Sequence, residues 1–179
     1  MGKRNLSDFH RRAFIMRVAA LLMAGSTASA SAQTTDAAQT TDIGIVDAVF
    51  VDKGERRLDL LRDGAVIASF KIALGFAPEG HKTEQGDGKT PEGDYVLDWR
   101  NPESRFHLSL HISYPNDADR AQAAARGVSP GGDIFIHGTP GWAGSVDSDW
   151  TLGCIAVSND EIEAIWNAVP DGTPITIAP

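Results

Sequence analysis

The chain of 179 residues has one cysteine, two tyrosines, few basic residues and no apolar run long enough to cross a membrane. Each scarcity excludes something. One cysteine excludes an intramolecular disulfide, so stability has to come from burial, and the thiol of Cys154 is either free or intermolecular. The 16 Lys plus Arg are outnumbered by 24 Asp plus Glu, and five of the 16 lie in the first 17 residues. Beyond residue 32 there remain 11 basic against 23 acidic residues, a net charge of −12. Nucleic acid is a poor partner for such a surface. The longest apolar run near the start, Val18 to Gly25, falls far short of the ~20 residues of a membrane span. No metal-binding motif such as H-E-x-x-H occurs, and no pattern calls for a cofactor.

What is present begins with an export pattern. Lys3, Arg4, Arg11, Arg12 and Arg17 form a basic leader, the apolar run follows, and Ala28-Ser29-Ala30-Ser31-Ala32 offers A-x-A cleavage sites. Residues 1–32 are expected to be a signal peptide, with Arg11-Arg12 also fitting a twin-arginine signal. The destination is then the periplasm or cell envelope, with no membrane span after processing. Residues 33–42 are small and polar and read as a linker. Residues 43–179 are expected to form one domain.

Within that domain the periodicity predicts mostly β structure with two helices. Three short β-branched runs between Ile43 and Gly75 are separated by turn signals, with Asp63-Gly64 fitting a tight hairpin. Residues 75–94 hold five glycines and two prolines, which excludes a regular element. Tyr95 to Trp99 reads as a short strand. In Phe106 to Ser113 the apolar residues alternate with His107, Ser109, His111 and Ser113, a polar face expected to meet water. Residues 116–126 carry an Asn cap, early acids and a Gly127 stop, so a helix is predicted. Ile134 to Ile136 reads as a strand ending at His137-Gly138, and residues 138–150 as a second glycine-rich loop. Ser158 and Glu161 form a capping box ahead of a helix whose Ile162, Ile165, Trp166 and Val169 share one face. Thr173 to Ala178 is the last strand.

The single thiol of an exported chain raises the question of its use. A cysteine reacts as its thiolate, and a neighbouring imidazole is the common means of removing the proton. His137 ends one apolar strand and Cys154 precedes another, so neighbouring strands would bring the two to one rim. Gly153 lets a carbonyl approach the backbone N–H groups around Cys154, a place for an oxyanion. The plainer reading makes Cys154 a small buried hydrophobe. His107 and His111 are ~13 Å apart on one strand face, too far to share a metal. His107 with Ser109, or His111 with His137, can line a cleft, and His81 with Lys82 and Lys89 can meet an anionic substrate.

The pattern His137-Gly138, a gap, then Thr151-Leu152-Gly153-Cys154-Ile155-Ala156 resembles the YkuD-type L,D-transpeptidase catalytic domain, in its YafK/ErfK-like subgroup. The Gly86-Asp87-Gly88-Lys89-Thr90-Pro91-Glu92-Gly93, Ser109 to Asn116 and Gly131 to Gly138 segments extend the resemblance over most of the domain. Leu152 stands where the family pattern has a second histidine, and Ala156 where it has Asn or Arg. The resemblance implies a β-sandwich catalytic domain with its site under a loop. It implies that Cys154 attacks the meso-diaminopimelate to D-alanine bond of a peptidoglycan stem tetrapeptide. His137 would take the thiol proton, oriented by the Gly138 carbonyl, with N–H groups near Gly153 and Cys154 on the oxyanion and Thr151 beside the substrate. The acyl group would pass to an amine, giving a 3-3 cross-link, D-amino acid exchange or attachment of a wall-bound lipoprotein. Two alternatives stay open: hydrolysis by the same Cys and His, as a carboxypeptidase or a lipoprotein-releasing amidase, and a non-catalytic wall-binding module.

Overall fold

A computed structural model describes residues 43–140 and 146–179. The expected signal peptide (1–32), the linker (33–42) and part of the second glycine-rich loop (141–145) lie outside the described residues. Among the described residues no helix is long and apolar enough to cross a membrane.

The strands are β1 (Ala48–Asp52), β2 (Arg57–Arg62), β3 (Ala65–Lys71), β4 (Gly93–Ser104), β5 (His107–Ile112), β6 (Phe135–His137), β7 (Ile155–Ala156) and β8 (Thr173–Ala178). Helix α1 (Asp117–Ala125) lies between β5 and β6, and α2 (Asn159–Ala168) between β7 and β8. The mostly β domain with two helices is therefore what the chain builds. Its strands form one curled sheet in the order β3-β2-β1-β8-β4-β5-β6-β7. The curl brings the two ends together: Ala73, just past β3, bridges Ala156 of β7 through N–H···O bonds of 2.9 and 2.8 Å. The sandwich expected from sequence is thus a single sheet folded over its own core.

Local chemistry explains the elements. Asp63 and Gly64 both take positive φ, 52° and 76°, as a two-residue hairpin turn demands. Both helices open with a full capping box, Asn116 with Asp119 and Ser158 with Glu161. Strand β8 sits between β1 and β4 and buries Thr173, Ile175 and Ile177 on one side, while Pro174 and Thr176 face out. Each buried isoleucine there contributes roughly 1.5–3 kcal/mol of transfer free energy. Ile162, Ile165 and Val169 of α2 are fully buried, and Trp166 lies partly buried under the Arg100 guanidinium at 5.3 Å.

Two expectations are corrected. Strand β4 runs from Gly93 to Ser104, well beyond Trp99. Its polar extension pairs with β5 alone, because β8 ends its pairing at Leu97 opposite Thr173, so no apolar alternation marks it. The polar face of β5 does not simply meet water either: Ser109 is buried opposite His137, and His111 is half-buried.

The irregular segment between β3 and β4 is fixed by two buried lysines. Lys53 Nζ reaches Glu92 Oε1 at 2.7 Å, the Gly80 carbonyl at 2.8 Å and the Thr90 carbonyl at 3.1 Å. Lys82 Nζ bonds Asp87 Oδ1 at 2.9 Å, and the Asp87 carboxylate also accepts from the backbone N–H groups of Thr83, Glu84 and Lys89. These donors outweigh the cost of burial and hold the Asp87 carboxyl down to about 2. Because that pKa is depressed, the stabilisation is present above the ordinary carboxylate range and is lost as pH falls through about 2. Asp87→Asn removes the charge opposite buried Lys82 and is expected to cost about 2 kcal/mol in urea unfolding at pH 7. A change under ~0.5 kcal/mol would mean the pair does not organise this loop.

Candidate active site

Strands β6 and β7 run parallel with Ile136 opposite Ile155 and His137 opposite Ala156. Side chains alternate along a strand, so Ile136 and Ile155 point into the core while His137 and Cys154 share the other face. Cys154 lies diagonally from His137, with Cα positions about 8 Å apart by strand spacing and rise. The two residues singled out in the sequence therefore face the same side, His137 at the end of β6 and Cys154 just before β7.

His137 is buried and packed against two neighbouring aromatic rings, with Phe106 stacked at 4.4 Å and Trp150 tilted at 5.8 Å. Its Nδ1 lies 2.6 Å from the Gly138 carbonyl oxygen. A carbonyl only accepts, so Nδ1 carries the proton and Nε2 is left as the basic nitrogen. Burial lowers the basicity of the ring, against a smaller raising effect of the Gly138 bond. Only glycine fits at 138: a Cβ there would lie 2.5 Å from Asn159 Oδ1 and 2.8 Å from the Phe106 carbonyl. Asn159 in turn accepts from the Thr139 N–H at 2.9 Å, tying the start of α2 to the residue after His137-Gly138.

Cys154 is half-buried, its sulfur 3.6 Å from the Asp133 carbonyl. Burial pushes its thiol up to about 11; a backbone hydrogen bond from Phe135 and the charge of Lys82 work against that, and the Asp133 carboxylate adds to it. Burial disfavours both the thiolate and the imidazolium, which suits general-base transfer during attack. Alkylation of Cys154 by iodoacetamide is expected to accelerate about tenfold per pH unit from pH 7 and to level off near pH 11. A plateau already reached at pH 7 would contradict this.

The other residues named from sequence are placed as follows. Thr151 is buried, its hydroxyl donating to the Cys154 carbonyl at 2.7 Å and accepting from the Gly153 N–H at 3.1 Å. That N–H is thus engaged within the 151–154 turn rather than free for an oxyanion. Ser109 lies opposite His137 on β5. His111 is held by Asp98, Nδ1 to Oδ1 at 2.6 Å. His81 spends both ring nitrogens on structure: Nδ1 accepts from the Glu92 N–H at 3.0 Å and Nε2 meets Asp119 of α1 at 3.1 Å.

A cavity of about 470 Å³ is bounded by Lys82, Gln85, Gly88, Ser129, Asp133 and Leu152, and Asp133 links it to the thiol through its carbonyl. The glycine-rich 75–94 segment supplies one side of it. Sequence had not singled out Asp133, Phe106 or Trp150, because nothing local marks a ring that covers a histidine across the fold. Among the described residues no cluster of three or more His, Cys, Asp or Glu side chains is arranged to hold a metal ion.

Comparison with known proteins agrees with this geometry. Residues 47–177 match the YkuD family, described as the L,D-transpeptidase catalytic domain. The chain is 33% identical to the Escherichia coli strain K12 protein YafK over 124 residues, 65% of this chain and 44% of YafK. The crystal structure of the helical cell shape determining protein Pgp2 from Campylobacter jejuni superposes with a TM-score of 0.60 at 29% identity, covering 76% of this chain and 50% of Pgp2. Bd1075 from Bdellovibrio bacteriovorus gives 0.55 at 27%, covering 78% of this chain and 50% of its own. The chain spans half or less of the length of these relatives.

Proposed function

This chain belongs to the L,D-transpeptidase catalytic domain family, and on that premise we propose that it is a cysteine acyltransferase acting on peptidoglycan stem peptides in the cell envelope. Cys154 Sγ attacks the carbonyl carbon of the meso-diaminopimelate to D-alanine bond. Its proton passes to His137 Nε2 and from there to the nitrogen of the departing D-alanine. The resulting thioester is opened by an amine, whose surplus proton returns through His137. The acceptor is the side-chain amine of a second stem, a free D-amino acid or a wall-attached lipoprotein.

One observation carries this reading. The 2.6 Å contact from Nδ1 to the Gly138 carbonyl fixes the tautomer that leaves Nε2 as a base on the face shared with Cys154. Starting from a neutral thiol, the proton must move as the S–C bond forms, so the buried, weakly basic imidazole is matched to accept it and to give it up again. The stacked Phe106 ring and the tilted Trp150 ring shield the imidazole from water, which favours interception of the thioester by an amine. Thr151 sets the turn that presents Cys154, and Ser109 and His111 extend the substrate face along β5. The loop carrying His81 forms the opposite wall.

The test is product analysis with a defined tetrapeptide muropeptide, with and without an added D-amino acid. Exchange or cross-linked products are expected by mass spectrometry. Tripeptide alone, even with excess amine, would replace transfer by hydrolysis with the same two residues. No conversion under either condition would leave the wall-binding reading.

A further inference from the structure

A row of rings crosses the sheet at the level of the thiol. Trp99 of β4 lies opposite His111 of β5, and His111 lies opposite Phe135 of β6. The register of β6 with β7 sets Phe135 beside Cys154 on the same face. The rings touch: Trp99 stacks on His111 at 5.0 Å and 22°, His111 meets Phe135 edge-on at 5.0 Å, and Trp99 meets Phe135 edge-on at 5.3 Å. Asp98 pins the His111 ring and keeps its own carboxylate 41% exposed at the rim. Trp99, at the far end, is 44% exposed. A tryptophan that stacks within the protein and still leaves this much surface to solvent offers a flat apolar area next to a hydrogen-bond acceptor.

We propose that Trp99, backed by His111 and flanked by Asp98, is a subsite for a pyranose ring of the glycan that carries the stem peptide. The inference rests on the acyl-transfer reading above. Pyranose rings bind this kind of surface because one face presents axial C–H groups to the aromatic system while equatorial hydroxyls and amides at the edge seek acceptors such as a carboxylate. The span agrees. The Trp99 ring centroid is 5.3 Å from that of Phe135, Phe135 is one strand spacing of ~4.8 Å from Cys154, and a ring stacked on Trp99 sits roughly 4.5 Å further out, so the sugar lies up to about 14 Å from the thiol. Three extended residues from the reacting carbonyl cover about 10 Å. The extra methylenes of the γ-linked residue and the acid joining peptide to sugar supply the remainder. Phe135 then lies under the peptide and Trp99 under the sugar, with His111 behind the Trp99 ring. This row shares no residue with the cavity bounded by Lys82 and Leu152, so the two flank the thiol independently.

The test compares kcat/KM for a disaccharide tetrapeptide and for the same tetrapeptide without sugar, in the protein as it stands and in Trp99→Ala and Trp99→Phe. The disaccharide substrate is expected to be preferred about tenfold. Trp99→Ala is expected to bring the two substrates to within twofold, and Trp99→Phe to retain most of the preference. Equal specificity constants in the unaltered protein, or a preference that survives Trp99→Ala, would overturn the proposal. If neither substrate is converted, the acyl-transfer reading fails, and calorimetric binding of both compounds to the Cys154→Ala protein decides the sugar site. Tighter binding of the disaccharide form that Trp99→Ala abolishes supports it, and equal affinity overturns it.

Discussion

Cys154→Ala is expected to abolish conversion of tetrapeptide muropeptides, a loss of at least about 10³-fold, while the protein stays folded. The size follows from covalent catalysis: removing the group that forms the intermediate leaves only binding and positioning, which supply a small remainder of the rate. Retained folding follows from the site. Cys154 is half-buried, and its sulfur touches the Asp133 carbonyl and lies by the Phe135 backbone, not the apolar core, so an alanine there leaves little cavity. Turnover within tenfold of the unaltered protein, with unchanged melting, would show that the thiol is a passive small side chain.

The second large effect is expected from Gly153→Ala, one residue away and acting through the backbone. Gly153 has φ +133°, a conformation that L side chains rarely adopt. A Cβ there would lie 2.7 Å from the Lys89 carbonyl oxygen and 3.2 Å from Ile134 Cδ1. Neither neighbour yields easily. Lys89 is held by its N–H to Asp87, and Ile134 is buried in the core. Backbone strain and overpacking each cost about 1–3 kcal/mol, so about 4 kcal/mol of stability and roughly 12 °C in Tm are at risk. Conversion by the molecules that remain folded should fall at least about 100-fold, since the 151–154 turn that presents the thiol is displaced. A Tm within 2 °C together with activity within twofold would show that the loop and the turn are not packed as described.

These two residues mark what was legible in the sequence. Glycine before a lone cysteine, with His-Gly at the end of an upstream apolar run, pointed to the two residues proposed for the site, and the parallel register of β6 and β7 sets them on one face. The Asp63-Gly64 hairpin and the Ser158 capping box were equally plain, because each is encoded within four residues. What stayed hidden depends on distant parts of the chain. Lys53 looks like a surface charge and is buried, since its carbonyl and carboxylate partners lie 27 to 39 residues away along the chain. The row of Trp99, His111 and Phe135 depends on lateral register across three strands, which no local pattern records. Local sequence pointed to Cys154 and His137 but could not show that the surrounding fold disfavours a charge on either of them.

Burial around the thiol changes what should be seen in solution. With its thiol pushed up to about 11, Cys154 is expected to resist small alkylating agents near neutral pH, and under the proposed mechanism it is engaged when a bound acyl donor lets His137 take the proton. Slow alkylation combined with efficient acylation is the signature that separates this arrangement from a preformed thiolate.

The most direct measurement is the intact mass of the protein during turnover of a tetrapeptide muropeptide, quenched in acid and followed by peptide mapping. The account predicts a mass gain equal to the donor minus D-alanine, located on the peptide containing Cys154 and absent from Cys154→Ala. Product formation with no adduct on that peptide at any quench time, or the same adduct in Cys154→Ala, would contradict it.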